Sequence, residues 1–406
     1  MAQGGRRAIV IGGSMSGLLA GLFLRQRGWD VDIFERVADE LSGRGAGIVA
    51  QPQLVEACRA LGISLGEPAG VATWPRRTFD RDGKLIAETE CPQVHTTWER
   101  VFRSLRSHFP AERYHRGVRL AHLEQESGVV HARFEDGSAR EADLLIGADG
   151  LRSSVRTVCA PDPEPSYAGY VAWRALIDEA AMSPATHGDI FPCMAFCLPE
   201  REQCLGYPVA GPNDDLRPGH RRYNLVWYRP TDEEQALPRL LTDETGTQHH
   251  GAIPPPLIRR AVITELHVAA ERLLAPQFRE VISLARPFLQ PIYDFVTPRM
   301  VYGRVVLIGD AAFVARPHVG GGVVKAAQDA MALGAVLDPA SEVSAALRRF
   351  EAQRMPAGRR MVERGRELGA LIEPSRCNES ERAFAAANAS PEALMTHTAV
   401  LDFLEA

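Results

Sequence analysis

Small residues in the stretch VIGGSMSG, residues 10–17, have the spacing of a turn that can hold a phosphate. Gly12 and Gly17 flank Ser14, and the acidic residue Glu35 ends the next apolar stretch. A turn of small residues lets the backbone approach a pyrophosphate, and a carboxylate after the following strand can accept hydrogen bonds from ribose hydroxyls. Ser14 replaces the middle glycine of the usual pattern, and its hydroxyl can itself donate to a phosphate. The stretch predicts a dinucleotide site.

Two later stretches each end an apolar strand with a glycine–aspartate pair. They are LLIGADGLRSSVR (144–156) and RVVLIGDAAFVARPHVGGGVVKAAQDA (304–330). His318 lies in the second, between that pair and the glycines 320–322. Since a free imidazole titrates near neutral pH, His318 is a candidate general base. The alternative is a structural histidine that holds the loop.

The elements that must position these residues can be predicted from hydrophobic spacing. The first 35 residues predict strand, helix and strand, which is one βαβ unit. Strand-like segments separated by turn-rich pieces between 167 and 230 predict an antiparallel sheet. A helix is predicted at 98–108, helical structure at 256–282, and long helices at 323–337 and 343–371. The sequence therefore predicts a nucleotide-binding domain that is interrupted by inserted sheet segments.

Taken together, the three glycine-containing stretches resemble the signatures of the class A FAD-dependent aromatic hydroxylases. Further likeness lies in GRGAGIVAQPQ (43–53) and FEAQRMP (350–356), so the resemblance covers nearly the whole chain. It implies an α/β fold: a Rossmann-like, three-layer FAD-binding domain with a parallel sheet, an inserted and mostly antiparallel substrate-binding sheet, and C-terminal helices. The expected bounds are 1–72, 98–165 and 296–372 for the FAD-binding domain, 73–97 and 166–295 for the substrate-binding domain, and 373–406 for a helical tail.

The resemblance also implies contacts to the cofactor. Asp149 is expected near both FAD and NAD(P)H, Asp310 on the ribityl chain, and the glycines 320–322 at a helix N-terminus that faces the flavin ring. A helix N-terminus there would stabilise negative charge on reduced flavin. The residues expected to contact FAD are Gly12, Gly13, Ser14, Ser16, Gly17, Glu35, Arg36, Arg44, Gln51, Val118, Asp149, Gly150, Asp310, Pro317, Gly320, Gly321 and Gly322.

The chain departs from the family pattern at two of these contacts. Trp98 stands where many members have an arginine that reaches FAD, and Arg44, Arg100 and Arg103 are the candidates to replace it. Val324 stands where an asparagine usually meets the flavin, so backbone contacts are expected at that point.

The reaction implied by the resemblance is hydroxylation by a flavin hydroperoxide formed from reduced FAD and O₂. The expected substrate is a small hydroxylated aromatic ring, above all an N-heterocycle such as a dihydroxypyridine. The resemblance also implies NADPH or NADH as a transient co-substrate, and the absence of a second glycine-rich βαβ unit from the sequence fits this expectation. The alternatives are a phenolic-acid (salicylate-like) hydroxylase, a non-hydroxylating flavoprotein reductase, and a flavin-binding protein without catalytic activity.

Candidate substrate contacts come from separate segments. They are Gln51, Tyr207, Tyr228 and His318, with Tyr207 and His318 also expected in catalysis. For the tyrosines the alternative is a place in the core, since aromatic residues on a half-buried sheet usually pack there. By alternation along the strand, Tyr228 should face the side opposite Trp227. His95, His249 and His250 are expected in solvent or loops.

Composition gives no support for several other classes of protein. The chain has 406 residues and a formal net charge of −5, which gives no support for binding nucleic acid or an anionic membrane. No apolar run is long enough to cross a bilayer. Seven scattered cysteines favour reduced thiols, a cytoplasmic location and no metal site. A homodimer is left open.

Overall fold

Two large sheets organise the molecule. The structure is a computed structural model that describes residues 5–41, 47–249, 251–338 and 341–404. Within these residues the strands are β1 (Arg7–Ile11), β2 (Asp30–Glu35), β3 (Gly47–Val49), β4 (Val71–Phe79), β5 (Leu85–Thr97), β6 (Tyr114–Arg116), β7 (Leu120–Glu126), β8 (Val129–Phe134), β9 (Ala139–Ala142), β10 (Leu144–Gly147), β11 (Ser166–Asp178), β12 (Met194–Cys197), β13 (Gln203–Val209), β14 (Arg222–Pro230), β15 (Phe288–Val296), β16 (Val301–Tyr302), β17 (Val305–Leu307) and β18 (Phe313–Val314). The helices are α1 (Met15–Gln26), α2 (Pro52–Ala60), α3 (Trp98–His108), α4 (Ser154–Cys159), α5 (Pro184–Ile190), α6 (Ala236–Leu240), α7 (Arg260–Leu273), α8 (Pro276–Leu284), α9 (Gly322–Val336), α10 (Val343–Gly369), α11 (Glu379–Ala387) and α12 (Pro391–His397).

The first sheet has the order β16-β17-β10-β1-β2-β6, and β1 pairs in parallel with both β10 and β2. Its central strands are continuous apolar runs because they are covered on both faces. Helices α1 and α9 pack together beside this sheet, and the three-stranded sheet β7-β8-β9 contacts β1 and β10. Parallel strands end at the same edge, so the turns after β1, β10 and β17 lie side by side. The predicted βαβ unit is confirmed.

The second sheet has the order β18-β15-β11-β14-β13-β12-β4-β5-β3 and is antiparallel except where β12 meets β4. One face packs on α5 to α8, with Trp173 and Trp227 among the side chains buried there. The other face carries Tyr170, Val226 and Tyr228. Alternation along β14 therefore separates Trp227 from Tyr228, as predicted.

The C-terminal helices tie the two sheets together. The long α10 packs on α9 and on β15, whereas α12 packs on β4 and β5. The predicted fold, a parallel sheet with an inserted and mostly antiparallel sheet and C-terminal helices, is confirmed. The domain bounds stay predictions; β3, for example, lies within 1–72 but pairs with β5 in the second sheet.

The predicted helical stretch 256–282 is largely helical in the structure, with one break. Residues 256–282 form two helices, because α7 ends at Leu273 and Pro276 begins α8. Proline has no N–H group for a helical hydrogen bond and favours the first turn of a helix. No helix within 5–41, 47–249, 251–338 or 341–404 combines the length and apolar character needed to cross a membrane.

Candidate active site

A groove of about 570 Å³ lies at the edge of the parallel sheet where its strands end. Its floor is formed by the turns that follow β1 and β10 and by the end of β2. Seven of the predicted cofactor residues line it: Gly12, Ser14, Glu35, Arg36, Val118, Asp149 and Gly150. The first two predicted motifs thus converge on one elongated opening.

Backbone atoms approach one another closely at the first turn. Gly12 has φ +106°, and a Cβ placed on it would overlap the carbonyl of Ala148. A Cβ on Gly17 would in turn overlap the carbonyl oxygen of Gly12. Because no side chain fits at either position, both glycines are required by geometry and keep the floor of the groove open.

The N-terminus of α1 borders the groove through its N-cap residue Ser14, whose side chain does not cap the first turn. Unpaired N–H groups and the helix dipole make such a terminus a ready site for an anion. Glu35 stands beside it: its Oε2 accepts a hydrogen bond from Gly13 N at 2.8 Å, and its Oε1 accepts one from Val37 N at 2.9 Å. Each carboxylate oxygen retains a lone pair for a ribose hydroxyl.

Three predicted cofactor residues lie behind the wall. Gly13 is held by its bond to Glu35 and by Tyr114, whose hydroxyl donates to Gly13 O at 2.8 Å. Ser16 packs against Gly309 in the turn after β17. Together with Gly17, these residues shape the turn and do not line the groove.

Asp149 organises the second turn. Its Oδ2 accepts hydrogen bonds from Ser154 N at 2.7 Å and Val155 N at 3.2 Å, so the carboxylate caps α4. Burial raises the pKa of Asp149, and these hydrogen bonds partly offset that rise. The carboxylate therefore fixes the loop that carries Gly150 along the groove.

Two of the three arginines proposed to replace the missing one at Trp98 bind residues outside the groove. Arg100 donates from Nε and Nη2 to Leu65 O at 3.0 and 2.7 Å. Arg103 forms an ion pair at 3.0 Å outside the groove. Arg44 lies outside the described residues. Trp98 itself lines the groove.

A second cavity of about 270 Å³ adjoins the groove and lies against the open face of the antiparallel sheet. The two share Gly47, Ile48, Arg174 and Gln290 as lining residues. The predicted residues that line the second cavity are Tyr207, Tyr228, Asp310, Pro317, His318, Gly320, Gly321 and Gly322. The third motif thus opens into this cavity, and with it the N-terminus of α9, which no side chain caps.

Asp310 is paired with a buried lysine. Lys325 Nζ donates to Asp310 Oδ1 at 2.7 Å and also to Phe313 O. The lysine side chain is fully buried, whereas about half of Asp310 is exposed. The ion pair fixes the aspartate and leaves an exposed edge of its carboxylate at the cavity.

Both ring nitrogens of His318 have partners. Nδ1 lies 2.8 Å from Gln203 Oε1, and Nε2 lies 2.9 Å from the hydroxyl of Tyr170. Because a carbonyl oxygen only accepts, Nδ1 carries the proton and Nε2 accepts from the tyrosine. The ring also packs on Tyr228, with centroids 4.1 Å apart.

Burial, with a smaller contribution from the nearby charge of Arg316, lowers the pKa of His318 to about 3. The imidazole is therefore neutral across the physiological range. The expectation that His318 titrates near neutral pH was wrong, because the side chain is enclosed and, among the described residues, no carboxylate pairs with the ring. Its role as a base stays a prediction.

The two predicted tyrosines differ in what their hydroxyls do. Tyr207 donates to Gly47 O at 2.8 Å, which ties β13 to β3. Tyr228 forms no hydrogen bond with any residue that the structure describes, although its side chain lines the cavity. Burial raises the pKa of both hydroxyls, that of Tyr207 to about 12. Tyr228 thus offers a neutral donor to a ligand.

Similarity to known proteins agrees with this geometry. The chain is 32% identical over 373 residues to the 2,6-dihydroxypyridine 3-monooxygenase of Paenarthrobacter nicotinovorans, covering 90% of this chain and 91% of that one. It belongs to the FAD-dependent aromatic hydroxylases. Residues 167–294 also match the family model described as FAD binding domain-like.

Solved structures share the fold of this hydroxylase. The 2,6-dihydroxypyridine-3-hydroxylase of Arthrobacter nicotinovorans superposes with a TM-score of 0.86 at 31% identity, covering 92% of this chain and 94% of that one. Klebsiella pneumoniae HpxO, complexed with FAD and uric acid, has a TM-score of 0.71 at 26% identity and covers 97% of both chains. The chain is therefore an FAD-dependent aromatic monooxygenase.

The groove of this hydroxylase fits FAD. Its glycine turn leaves no room for a Cβ, its α1 terminus is uncapped, and Glu35 retains acceptor capacity at one end. The other end opens into the second cavity, where a flavin ring would meet a substrate. FAD is the cofactor of this enzyme.

A wall of the hydroxylase's second cavity comes from the end of the chain, which the sequence analysis treated only as a helical tail. Thr398 and Ala399 line it, and Ala399 N donates to His318 O at 2.8 Å. Gln51 lines neither cavity; its Nε2 donates to Ala399 O at 2.9 Å. Gln51 therefore holds this wall in place.

Arg76 fixes the same segment. This fully buried guanidinium donates to Thr398 O at 2.7 Å, to Met395 O, and to Gln93 Oε1 at 2.7 Å. The carbonyl oxygens of Met395 and Thr398 lie at the C-terminal end of α12, where a cation also interacts favourably with the helix dipole. No motif in the sequence marks this arginine.

Arg174 also lines the cavity and was not predicted, although the sequence contains a signal for it. Arg174 lies an even number of residues from Tyr170 on β11, so alternation places both on the open face. In contrast, the cysteines of β12 and β13 face the helices.

His95 was expected in solvent or a loop, but it is fully buried and stacks on Tyr207, with ring centroids 4.4 Å apart. His249 lies in a loop and bonds to Asp243; His250 lies outside the described residues.

Proposed function

We propose that this enzyme hydroxylates a small hydroxylated N-heterocycle, such as a dihydroxypyridine, with O₂ and with NADPH or NADH as electron donor. The observation that carries the proposal is the cavity of about 270 Å³ that adjoins the FAD groove, since its size suits a single ring. The likeness to an enzyme named for 2,6-dihydroxypyridine supports the same class of substrate.

Bound FAD, once reduced by the nicotinamide co-substrate, supplies the activated oxygen. The proposal gives the pyrophosphate to the turn from Gly12 to Gly17 and the ribose to Glu35. Asp310 is assigned to the ribityl chain, and the glycines 320–322, at the start of α9, would hold the flavin ring. The uncapped helix termini at both turns support these assignments.

The chain's own contribution to the reaction is to orient the ring and to exclude water. Apolar side chains form much of the second cavity: Met194, Leu205, Val226, Ile292 and Val314. Tyr228 supplies a hydroxyl with no described partner, which can donate to a heteroatom of the substrate. A polar group fixed in a dry cavity orients a ligand more firmly than one in water.

His318 is the residue that the sequence proposes as the base. In the structure Nε2 accepts a proton only if the Tyr170 hydroxyl turns away from it. Because burial lowers the pKa of His318 to about 3, we expect no kinetic transition near pH 6.5 from this residue. A transition near pH 6.5 that His318→Gln abolishes would identify His318 as the base.

The proposed function is tested with purified holoenzyme and a panel of compounds: 2,6-dihydroxypyridine, 6-hydroxynicotinate, urate, salicylate and 4-hydroxybenzoate. NADH and NADPH oxidation, O₂ uptake and product formation are measured together. We expect product from a hydroxypyridine in amounts equal to the nicotinamide oxidised. Oxidation accompanied only by hydrogen peroxide identifies an effector, and product from none of the heterocycles overturns the proposal.

A phenolic acid is the second candidate, favoured by the guanidinium of Arg174 in the cavity. Arginine matches a carboxylate with two parallel hydrogen bonds. Faster product formation from salicylate or 4-hydroxybenzoate than from the heterocycles would support it. Turnover without oxygen incorporation would instead indicate a reductase.

We also propose a cytoplasmic enzyme. All seven cysteines are free thiols, which suits a reducing compartment where nicotinamide cofactors are available. A measurement of the molecular mass of the holoenzyme in solution would show whether it forms a homodimer.

A further inference from the structure

Arg174 stands where the FAD groove and the second cavity meet. It lies on β11 opposite Val226 of β14 and Phe288 of β15, and it lines both openings. Its side chain is only partly exposed. The guanidinium thus occupies the junction through which a cofactor ring and a substrate ring would face each other.

No group that the structure describes balances this charge. The guanidinium has no ion pair or hydrogen bond with a described residue, and its buried Nε is without a partner. An arginine is always protonated and presents five donors, so the cavity contains a fixed cation with open hydrogen-bonding capacity.

The other charges near the cavity are already paired. Arg316 binds Asp294 at 2.7 Å, and Lys325 binds Asp310 at 2.7 Å. On the sheet, Tyr207 and Tyr228 face Arg174 as neutral hydroxyls, because burial raises the pKa of both and Arg174 offsets only part of that rise. His318, whose pKa lies near 3, is neutral as well.

A fixed cation among neutral side chains favours an anionic ligand, the more so because apolar walls lower the local dielectric. We propose that Arg174 binds the ionised hydroxyl of the substrate, so that the ring enters the reaction as an anion. This inference rests on the proposed function, because it assigns the recognition of the hydroxylated ring in that same cavity.

The proposal accounts for the proton without a base in the cavity. The hydroxyl O–H bond breaks in solution and its proton remains with bulk water, while the oxyanion moves to the guanidinium. An oxyanion donates electron density to its ring, which prepares the ring carbon for an electrophilic oxygen. Arg174 thus selects the reactive ionisation state by binding it.

The test uses anaerobic holoenzyme without nicotinamide and records the change in FAD absorbance as ligand is added. The probes are 2,6-dihydroxypyridine, titrated at pH values on both sides of its own pKa, and azide, a small anion independent of substrate identity. The variants are Arg174→Gln, Arg174→Lys and the control Arg222→Gln. Arg222 lies on the same sheet, pairs with Asp178 at 3.1 Å and lines neither cavity.

We expect wild-type affinity for 2,6-dihydroxypyridine to rise with pH as the ligand ionises. Arg174→Gln should weaken the binding of both probes by about 10- to 100-fold, the range for a hydrogen bond to a charged group. Arg174→Lys should recover part of that affinity, and Arg222→Gln should bind like wild type.

Three results overturn the inference. The first is that wild type and Arg174→Gln bind the probes with equal affinity, and the second is that the wild-type enzyme binds neither probe. The third is that Arg174→Gln loses FAD, which would assign the guanidinium to the cofactor. If azide binding depends on Arg174 but 2,6-dihydroxypyridine does not bind, the anion site stands and the proposed substrate class fails.

Discussion

The groove and the cavity meet at Arg174, but they are built differently. The groove is formed mainly by backbone at the ends of parallel strands, at turns whose glycines leave no space for a side chain. The cavity is formed by side chains on one face of an antiparallel sheet, by the loop of the third motif and by residues 398 and 399. Short motifs therefore specify the cofactor, whereas the substrate is specified by residues far apart in the chain.

Breaking the groove alone should have the largest effect. Gly12→Ala places a methyl group against the carbonyl of Ala148 and forces a non-glycine residue to φ +106°. Such backbone strain alone costs about 1–3 kcal/mol. We expect FAD affinity to fall at least about tenfold, since 1.4 kcal/mol changes an equilibrium tenfold. Flavin absorbance of the purified protein and titration with added FAD measure this.

The matched control is Gly188→Ala on α5, where a Cβ meets no atom within 4 Å. It should retain wild-type FAD content. Circular dichroism should show that Gly12→Ala keeps its sheets; normal FAD content in that variant would contradict the requirement for glycine.

Breaking the cavity alone should leave the cofactor in place. Arg76→Met removes the donors to Thr398 O, Met395 O and Gln93. A buried acceptor left without its partner costs about 1–3 kcal/mol. We expect a loss of about 2–4 kcal/mol in the free energy of unfolding, a higher KM, and faster proteolysis within 391–404. Arg77→Met, which loses a partly exposed pair with Glu88, should change stability by only about 0–1 kcal/mol. Unchanged KM would show that the C-terminal wall does not depend on Arg76.

Mild acid should reduce stability mainly through two buried histidines, His318 at the substrate cavity and His95 stacked on Tyr207. Burial lowers the pKa of both His95 and His318 from 6.5 to about 3. The unfolded chain therefore binds more protons below pH 6.5, and stability falls as the pH drops from 6.5 toward 3. Each histidine contributes at most about 1.4 kcal/mol per pH unit.

Urea unfolding between pH 7 and pH 4 measures this slope. The variants His95→Gln and His318→Gln should each show a shallower decline than wild type, whereas the control His122→Gln, on an exposed strand, should not. Equal slopes would contradict the burial of neutral imidazoles. If the pH profile of kcat shows a transition near neutral pH in wild type and His318→Gln lacks it, that result would instead establish His318 as the base.

The smallest expected effects come from removing the hydroxyl groups of Tyr207 and Tyr228, and they should differ between the two residues. Tyr228→Phe removes a hydroxyl without a described partner, so stability should hold while substrate affinity falls by about three- to tenfold. Tyr207→Phe removes the bond to Gly47 O and should reduce stability by about 0.5–1.5 kcal/mol. Denaturation and ligand titration on both variants give the comparison; the reverse pattern would exchange their roles.

Much of the groove could be predicted from sequence, because strand, turn and helix are adjacent in the chain. The run from Arg7 to Glu35 encodes its strands, its tight turn and its acidic end in local order. Asp149, which the second motif proposes as a cofactor contact, lines the groove, and its contact with FAD stays a prediction. What local order could not show is that Arg100 and Arg103 bond away from it, since their partners come from other segments.

The cavity was predicted less completely for a physical reason. A strand pattern shows which residues share a face, and it placed Tyr228 correctly. It does not show which segment covers that face, so the wall at Ala399 and the buried state of His95 were missed. The pKa of His318 depends on the same enclosure, which no spacing of residues along one strand reveals.

The wall at Thr398 and Ala399 has a consequence for biosynthesis. The glycine turns are complete early during translation, but the residues that close the substrate chamber emerge from the ribosome nearly four hundred codons later. A nascent chain stopped short of them would contain the cofactor fingerprint and an unsealed chamber. Termination of translation between the glycine turns and residue 398 would thus leave the substrate chamber exposed to solvent, where the reaction requires a dry compartment.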